Sequence, residues 1–136
     1  MINGVILQKL QSLDETLLEL RSLGQISAGQ LNDDWRTRRA VERDLQVLVE
    51  IVIDICQRLI SLAGQTPAVT GVDAIERCIQ WGALSDDEAY RQMVRFRNYI
   101  VHRYEQVDVT ILTDVVNNHL ADFDQFRAEV LAYVQR

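Results

Sequence analysis

Apolar residues in the first part of the chain fall at Val5, Ile6, Leu10, Leu13, Leu17, Leu20 and Leu23, in steps of mostly three and four. That spacing predicts one buried face of a helix running to Leu23, with Gln8, Gln11 and Glu15 on the other faces. Gly24 and the Ser27-Ala28-Gly29-Gln30 run stop it. Asn32-Asp33-Asp34 reads as a cap with negative charge in the first turn of a second helix. Between Val47 and Ile55 that helix is apolar on nearly all sides, interrupted by Glu50 and Asp54. Such a helix is buried on most faces, as the centre of a bundle or as an element shared with a second subunit. Ala63-Gly64-Gln65-Thr66-Pro67 is the strongest break in the chain. A short helix is predicted from Gly71 to Trp81, ended by Gly82. Ser85 and Glu88 have the spacing of a capping box and start a helix carrying Met93, Val94, Phe96, Ile100 and Val101. A last helix is predicted from Val109 to Val134, on Ile111, Leu112, Val115, Val116, Leu120, Phe123, Phe126, Val130, Leu131 and Val134. The prediction is an all-α fold: an antiparallel up-and-down helical bundle of four long helices plus one short helix.

Composition narrows this picture. One proline and six glycines in 136 residues are too few for the many turns of a sandwich or barrel. The length suits a single helical domain spanning residues 1–136 that needs no metal or disulfide staple. Cys56 and Cys78 sit among apolar neighbours without a C-x-x-C pattern, so buried free thiols are expected. Neither a signal peptide nor an uncharged apolar run of ~18 residues is visible, which predicts a cytoplasmic protein that does not span a membrane. The net charge of −6 argues against binding nucleic acid through the whole surface. It leaves room for a local basic cleft or for a basic partner. Glu50 and Asp54 share a helix face at metal-pair spacing, but no histidine or third acid stands nearby; a solvated or arginine-paired edge is expected, and no metal. His119, beside Asn117 and Asn118, reads as a partly exposed polar residue.

One stretch is not explained by helix packing. Residues 91–104 contain four arginines (Arg91, Arg95, Arg97 and Arg103) and no acid, against the trend of the chain. A second basic cluster, Arg36, Arg38, Arg39 and Arg43, is mixed with Glu42 and Asp44. Within the first stretch, Arg97, Asn98, His102 and Tyr104 combine a planar fork of donors suited to phosphate, a side chain that exchanges protons near neutral pH, and a hydroxyl. Phosphodiester chemistry is the natural use of such a set.

Helix geometry constrains how the set can act. Five residues place His102 about 140° around a helix from Arg97, whereas seven bring Tyr104 nearly into line with the arginine. A straight helix therefore does not focus Arg97 and His102 on one atom. Either the helix ends or unwinds near Val101, or a two-fold copy of the helix supplies the missing groups. A two-fold homodimer would gather two histidines and two arginines around one groove. Metal-independent RNA cleavage uses such a set: one imidazole takes the 2′-hydroxyl proton, another protonates the leaving 5′-oxygen, and arginine stabilises charge on the phosphorus oxygens.

The string Arg97-Asn98-Tyr99-Ile100-Val101-His102-Arg103-Tyr104-Glu105-Gln106-Val107-Asp108 resembles the signature of HEPN-domain proteins, and in particular of HepT-like toxins from two-gene HepT/MntA modules. Ala40-Val41-Glu42-Arg43-Asp44-Leu45-Gln46 is similar to that family's second helix, and with the helix order the resemblance covers essentially the whole chain. It implies a toxin of a type VII-like HEPN/MNT toxin–antitoxin module, acting as a homodimeric metal-independent endoribonuclease on tRNA or mRNA without a cofactor. Arg97 and His102 match the catalytic pair, and Asn98 the polar residue that orients the site. Tyr104 matches the tyrosine that the cognate MNT-type nucleotidyltransferase antitoxin modifies with AMP. Arg95 and Arg103 are candidate RNA-backbone contacts.

Two rival classes remain open. A catalytically inactive HEPN binding module that partners a minimal nucleotidyltransferase fits the same charge pattern. A metal-dependent hydrolase finds little support, because Glu50 and Asp54 lack a histidine partner at ligand spacing.

Overall fold

The computed structural model describes residues 3–102 and 107–136 of the chain. Seven α-helices are present among the described residues, and no strand. The all-α expectation holds. Helix α1 (Gly4–Arg21) begins where the Asn3 side chain accepts hydrogen bonds from the Val5 and Ile6 amides at 2.9 and 3.2 Å. Of the predicted stripe it buries Ile6, Leu10, Leu13, Leu17 and Leu20, while Val5 and Leu23 at its ends are exposed. Gly24 then takes φ +66°, which a side-chain-bearing residue adopts only at a cost.

A short helix, α2 (Ala28–Asp33), stands where a plain break was expected. Ser27 and Gln30 form a reciprocal capping box: the Ser27 amide donates to Gln30 at 2.8 Å, and the Gln30 amide donates to Ser27 Oγ at 3.2 Å. Helix α3 (Trp35–Leu62) is the axis of the fold, about 42 Å long at 1.5 Å per residue. Asp34 caps it, accepting from the Arg36 and Thr37 amides. Nine of its residues, from Val41 to Ile60, are buried, and it packs against α1, α2, α4 (Gly71–Gln80), α5 (Glu88–Val101) and α6 (Val109–Asn118). The continuous apolar run from Val47 to Ile55 is explained by these neighbours on several sides.

The predicted last helix is two helices. Helix α6 ends at Asn118 and α7 (Ala121–Val134) begins after His119 and Leu120. Three weak helix formers in a row, Asn117, Asn118 and His119, coincide with the break. Asn117 also serves a distant loop, accepting from the Ile26 amide at 3.1 Å and donating to the Ile26 carbonyl at 2.8 Å. The start of α5 differs from expectation as well. Asp87, not Ser85, is its cap and accepts from the Ala89 amide at 2.9 Å. The Ser85 amide and hydroxyl instead donate to Glu129 on α7, at 2.6 and 3.0 Å. Burial acts to raise the Glu129 carboxyl, but hydrogen bonds from Ser85, Tyr90 and Gln125 outweigh it and hold the group below its ordinary value.

Cys56 and Cys78 are buried and free, as predicted. No described helix is long and apolar enough to cross a membrane.

Candidate functional site

The first half of α5 anchors the element that carries the candidate residues. Tyr90 is fully buried, its ring edge-on to Phe126 with centroids 6.0 Å apart. Its hydroxyl donates to Glu129 at 2.8 Å. Met93 and Val94 continue the buried face. Arg91, by contrast, is drawn into a carboxylate cage of Glu76 on α4, Asp86 and Glu88. Its guanidinium is thereby held above its ordinary range, chiefly by the Glu76 hydrogen bond. Arg95 pairs with Glu88 at 2.8 Å. Two of the four arginines that look unopposed in sequence are thus neutralised by acids from outside the stretch.

Arg97 is placed differently. It lies one turn beyond Met93 and Val94, at the edge of the buried face, and is half-buried. One guanidinium nitrogen, Nη2, lies 3.4 Å from where a β-carbon on Gly71 would stand, so the side chain rests against the first residue of α4. The same β-carbon position is 2.8 Å from Ile53 Cδ1 and 3.3 Å from Val94 Cγ1. A side chain there would require Ile53 to shift. The Arg97 Nε is buried without a hydrogen-bond partner, and no described carboxylate pairs with the guanidinium. A buried donor left unmade costs about 1–3 kcal/mol. The arrangement keeps a cation uncompensated where a phosphate could meet it.

Helix α5 ends at Val101, and His102 is its C-cap, with φ −96° and ψ 8°. Its amide donates to the Asn98 carbonyl at 3.0 Å, closing the last turn, and its side chain is exposed. The helix ends at Val101, as one of the two expectations had it, although the His102 amide still closes its last turn. Among the described residues no hydrogen bond or ion pair joins Arg97 to His102. Asn98, half-buried on the last full turn, lies between them in sequence. Tyr104 and Arg103 lie outside the described residues.

At Val107 and Asp108 the motif is tied back to the bundle. The Tyr99 hydroxyl on α5 accepts from the Asp108 amide at 3.1 Å. Asp108 caps α6 by accepting from the Thr110 amide at 2.8 Å, and Val107 is buried in the core. The Val107-Asp108 end of the motif is therefore a structural anchor. Sequence spacing does not single out Tyr99, since its partner lies nine residues away, beyond the end of α5.

The other candidates resolve simply. Asp54 pairs with Lys9 at 3.6 Å and Glu50 accepts from Gln46 at 2.9 Å, so lysine rather than arginine meets the acidic edge. The described residues contain no group of three metal-ligating side chains. His119 is exposed between Asp114 at 3.2 Å and Asp122 at 3.5 Å. It borders an apolar pocket of about 380 Å³ with Met93, Phe96 and Phe123, which none of Arg97, Asn98 and His102 lines.

Residues 13–130 match the family model described as Ribonuclease HepT-like. The chain belongs to that family of HEPN ribonuclease toxins from HEPN/MNT toxin–antitoxin modules. It is 24% identical over 127 residues to the mRNA nuclease HepT of Shewanella oneidensis, covering 92% of this chain and 95% of that protein. Two solved structures share the fold. One is a tri-AMPylated Shewanella oneidensis HEPN toxin in complex with MNT antitoxin (TM-score 0.86, 23% identity, 96% of this chain and 99% of that one). The other is a toxin–antitoxin complex with AMP-PNP (TM-score 0.84, 24% identity, the same coverage).

Proposed function

We propose that this chain is the toxin of a HEPN/MNT module and cleaves RNA without a metal, as a two-fold homodimer built from one domain, with Arg97 and His102 as the catalytic pair. The observation that carries the reading is the end of α5. There a half-buried Arg97 with an unpartnered Nε precedes an exposed His102 at the helix C-cap. A ribose 2′-hydroxyl loses its proton to one His102 imidazole, and the oxygen attacks the adjacent phosphorus. The P–O bond to the 5′-oxygen breaks, and the imidazole of the second protomer supplies the proton to that leaving group. The products are a 2′,3′-cyclic phosphate and a free 5′-hydroxyl. Arg97 stabilises the charge that builds on the non-bridging oxygens, and Asn98 orients the site.

Tyr104 is the modification site for the cognate nucleotidyltransferase. An attached AMP adds negative charge and bulk two residues from His102, and so competes with substrate phosphate for Arg97. The S. oneidensis toxin structure, which is tri-AMPylated and bound to its MNT antitoxin, supports this assignment. Arg95 and Arg103 serve as outer backbone contacts.

The test is intact mass of the protein expressed with and without its neighbouring gene product, together with RNA cleavage by each form in excess chelator. The expected result is a gain of AMP units that Tyr104→Phe abolishes, and cleavage by the unmodified form alone. Inert protein in both states would favour the non-catalytic binding module instead.

A further inference from the structure

The second basic cluster, on α3, has no part in the chemistry above. A groove of about 420 Å³ runs between Arg39, Glu42, Arg43 and Gln46 of α3 and Ile100 and Val101 at the end of α5. Two of its polar side chains are already engaged. Glu42 faces Arg38 at 3.8 Å, and Gln46 donates to Glu50. Asp44, next to Arg43 in sequence, turns its carboxyl to Glu19 on α1. Arg39 and Arg43 are exposed and make no hydrogen bond or ion pair with any described residue. Four residues apart, they stand on one helix face about 5–6 Å from each other at their β-carbons. The opposite wall is apolar and ends at Val101, and the next residue is His102.

We propose that Arg39 and Arg43 form a phosphate-binding wall that holds the backbone of single-stranded RNA beside His102. The inference rests on the ribonuclease reading and adds to it the path by which substrate enters. Guanidinium forks match phosphate oxygens, and the exposed apolar edge of Val101 offers a surface to a ribose or base. In a chain of net charge −6, long-range attraction for RNA is lacking, so affinity has to come from such local pairs. Glu42 also lines the groove, but it faces Arg38, and the two arginines outnumber it there.

The deciding measurement is binding of fluorescent oligouridine to full-length protein across a salt series, in a His102→Ala background that cannot consume the probe. Each phosphate contact on single strands contributes about 0.7 to the slope of log K against log salt. The Arg39→Ala/Arg43→Ala variant is expected to lower that slope by about 1.4, whereas Arg39→Lys/Arg43→Lys and Arg36→Ala keep it. Arg36 lies over the Trp35 ring, 5.4 Å from its centroid, and does not line the groove. With His102 restored, the double alanine variant is expected to raise KM about tenfold at nearly constant kcat. An unchanged slope, or an equal drop with Arg36→Ala, overturns the proposal; so does absence of RNA binding. Binding with the expected slope change but no cleavage by wild-type protein would overturn the ribonuclease reading and leave the wall standing.

Discussion

The two halves of α5 treat arginine in opposite ways. At its start, Arg91 is surrounded by Glu76, Asp86 and Glu88, and Arg95 shares Glu88. At its end, Arg97 has a buried Nε with no partner and no described carboxylate, and His102 is exposed at the cap. The residue type is the same and the helix is the same. What differs is the neighbourhood: acids of α4 and of the Asp86–Glu88 turn reach the first half, whereas Gly71 and Ile53 meet the second. Charge that is compensated holds elements together, and charge left uncompensated at the edge of a core is available to a ligand.

The largest effect is expected where the comparison is most direct. On the proposed mechanism, Arg97→Ala or His102→Ala lowers kcat for RNA cleavage by about a thousandfold or more. Arg91→Ala leaves kcat within about twofold of wild type and lowers the thermal midpoint, because three carboxylates lose their common partner. Single-turnover cleavage and thermal melts on the same preparations separate the two. Equal loss of activity for Arg91→Ala and Arg97→Ala, at temperatures where both are folded, would erase the distinction between the halves.

A subtler change moves Arg97 without removing it. Gly71→Ala places a β-carbon 2.8 Å from Ile53 Cδ1 and 3.4 Å from Arg97 Nη2. Both are ends of flexible side chains, so the fold tolerates the change. Val94 Cγ1, 3.3 Å away, must also give by a few tenths of an ångström, and the smaller propensity gain at a first helical position offsets part of that strain. Stability is expected to stay near wild type while kcat falls about tenfold, since small misplacements of a charge-stabilising group are costly. An unaltered kcat would show that Arg97 does not depend on the close approach to α4.

The contrast along α5 is only half legible in the sequence. The R-N-x-x-x-H string marks Arg97 and His102, and the angle between them already demands either a helix end or a second copy. The acid-free run of residues 91–104, however, suggests four unopposed arginines. Glu76 lies 15 residues from Arg91, and nothing local announces that pairing. The same limit explains Ser85, whose capping spacing is overruled by Glu129, 44 residues away. It explains the break near His119 too, where Asn117 answers a loop 91 residues earlier. Periodicity finds most of the buried faces of α1 and α3 because burial repeats with the helix; on α5 it finds Met93 and Val94 but misses Tyr90, and Val101 is exposed. Polar partners across elements have no such repeat. The short α2 is a different case: its Ser27–Gln30 box is present in the sequence but hidden within a run whose glycines and small residues read as a break.

The smallest expected effect concerns pH and extends the comparison to the carboxylates. Glu76 is held below its ordinary value by the Arg91 hydrogen bond, and Asp87 by the Ala89 amide and Gln125. Groups shifted down contribute stability that is complete above their unfolded values of 4.5 and 3.8 and is lost as pH falls through the lower folded values. Asp44 runs the other way. Burial, a hydrogen bond with Glu19 and the charge of Glu19 push it up to about 6, against an opposing pull from Arg43. Its folded form holds the proton more tightly than the unfolded chain, so this group favours folding below about pH 4 and loses that contribution as pH rises through about 6. Much of the Asp44 carboxylate meets solvent, which limits the effect to about 1 kcal/mol after screening. Wild-type protein is therefore expected to melt slightly higher at about pH 5 than at about pH 7 and to lose stability again below about pH 4. Asp44→Asn is expected to be the more stable form near neutral pH and to flatten the profile between about 5 and 7. It keeps the acid limb, because that limb belongs to the acids around the start of α5. A variant profile that still rises from about pH 7 to about pH 5 would place the responsible group elsewhere. The end of α5 carries no carboxylate from Phe96 to His102, so the carboxylate-linked acid limb belongs to its start, which is the same division between the two halves read by protons instead of RNA.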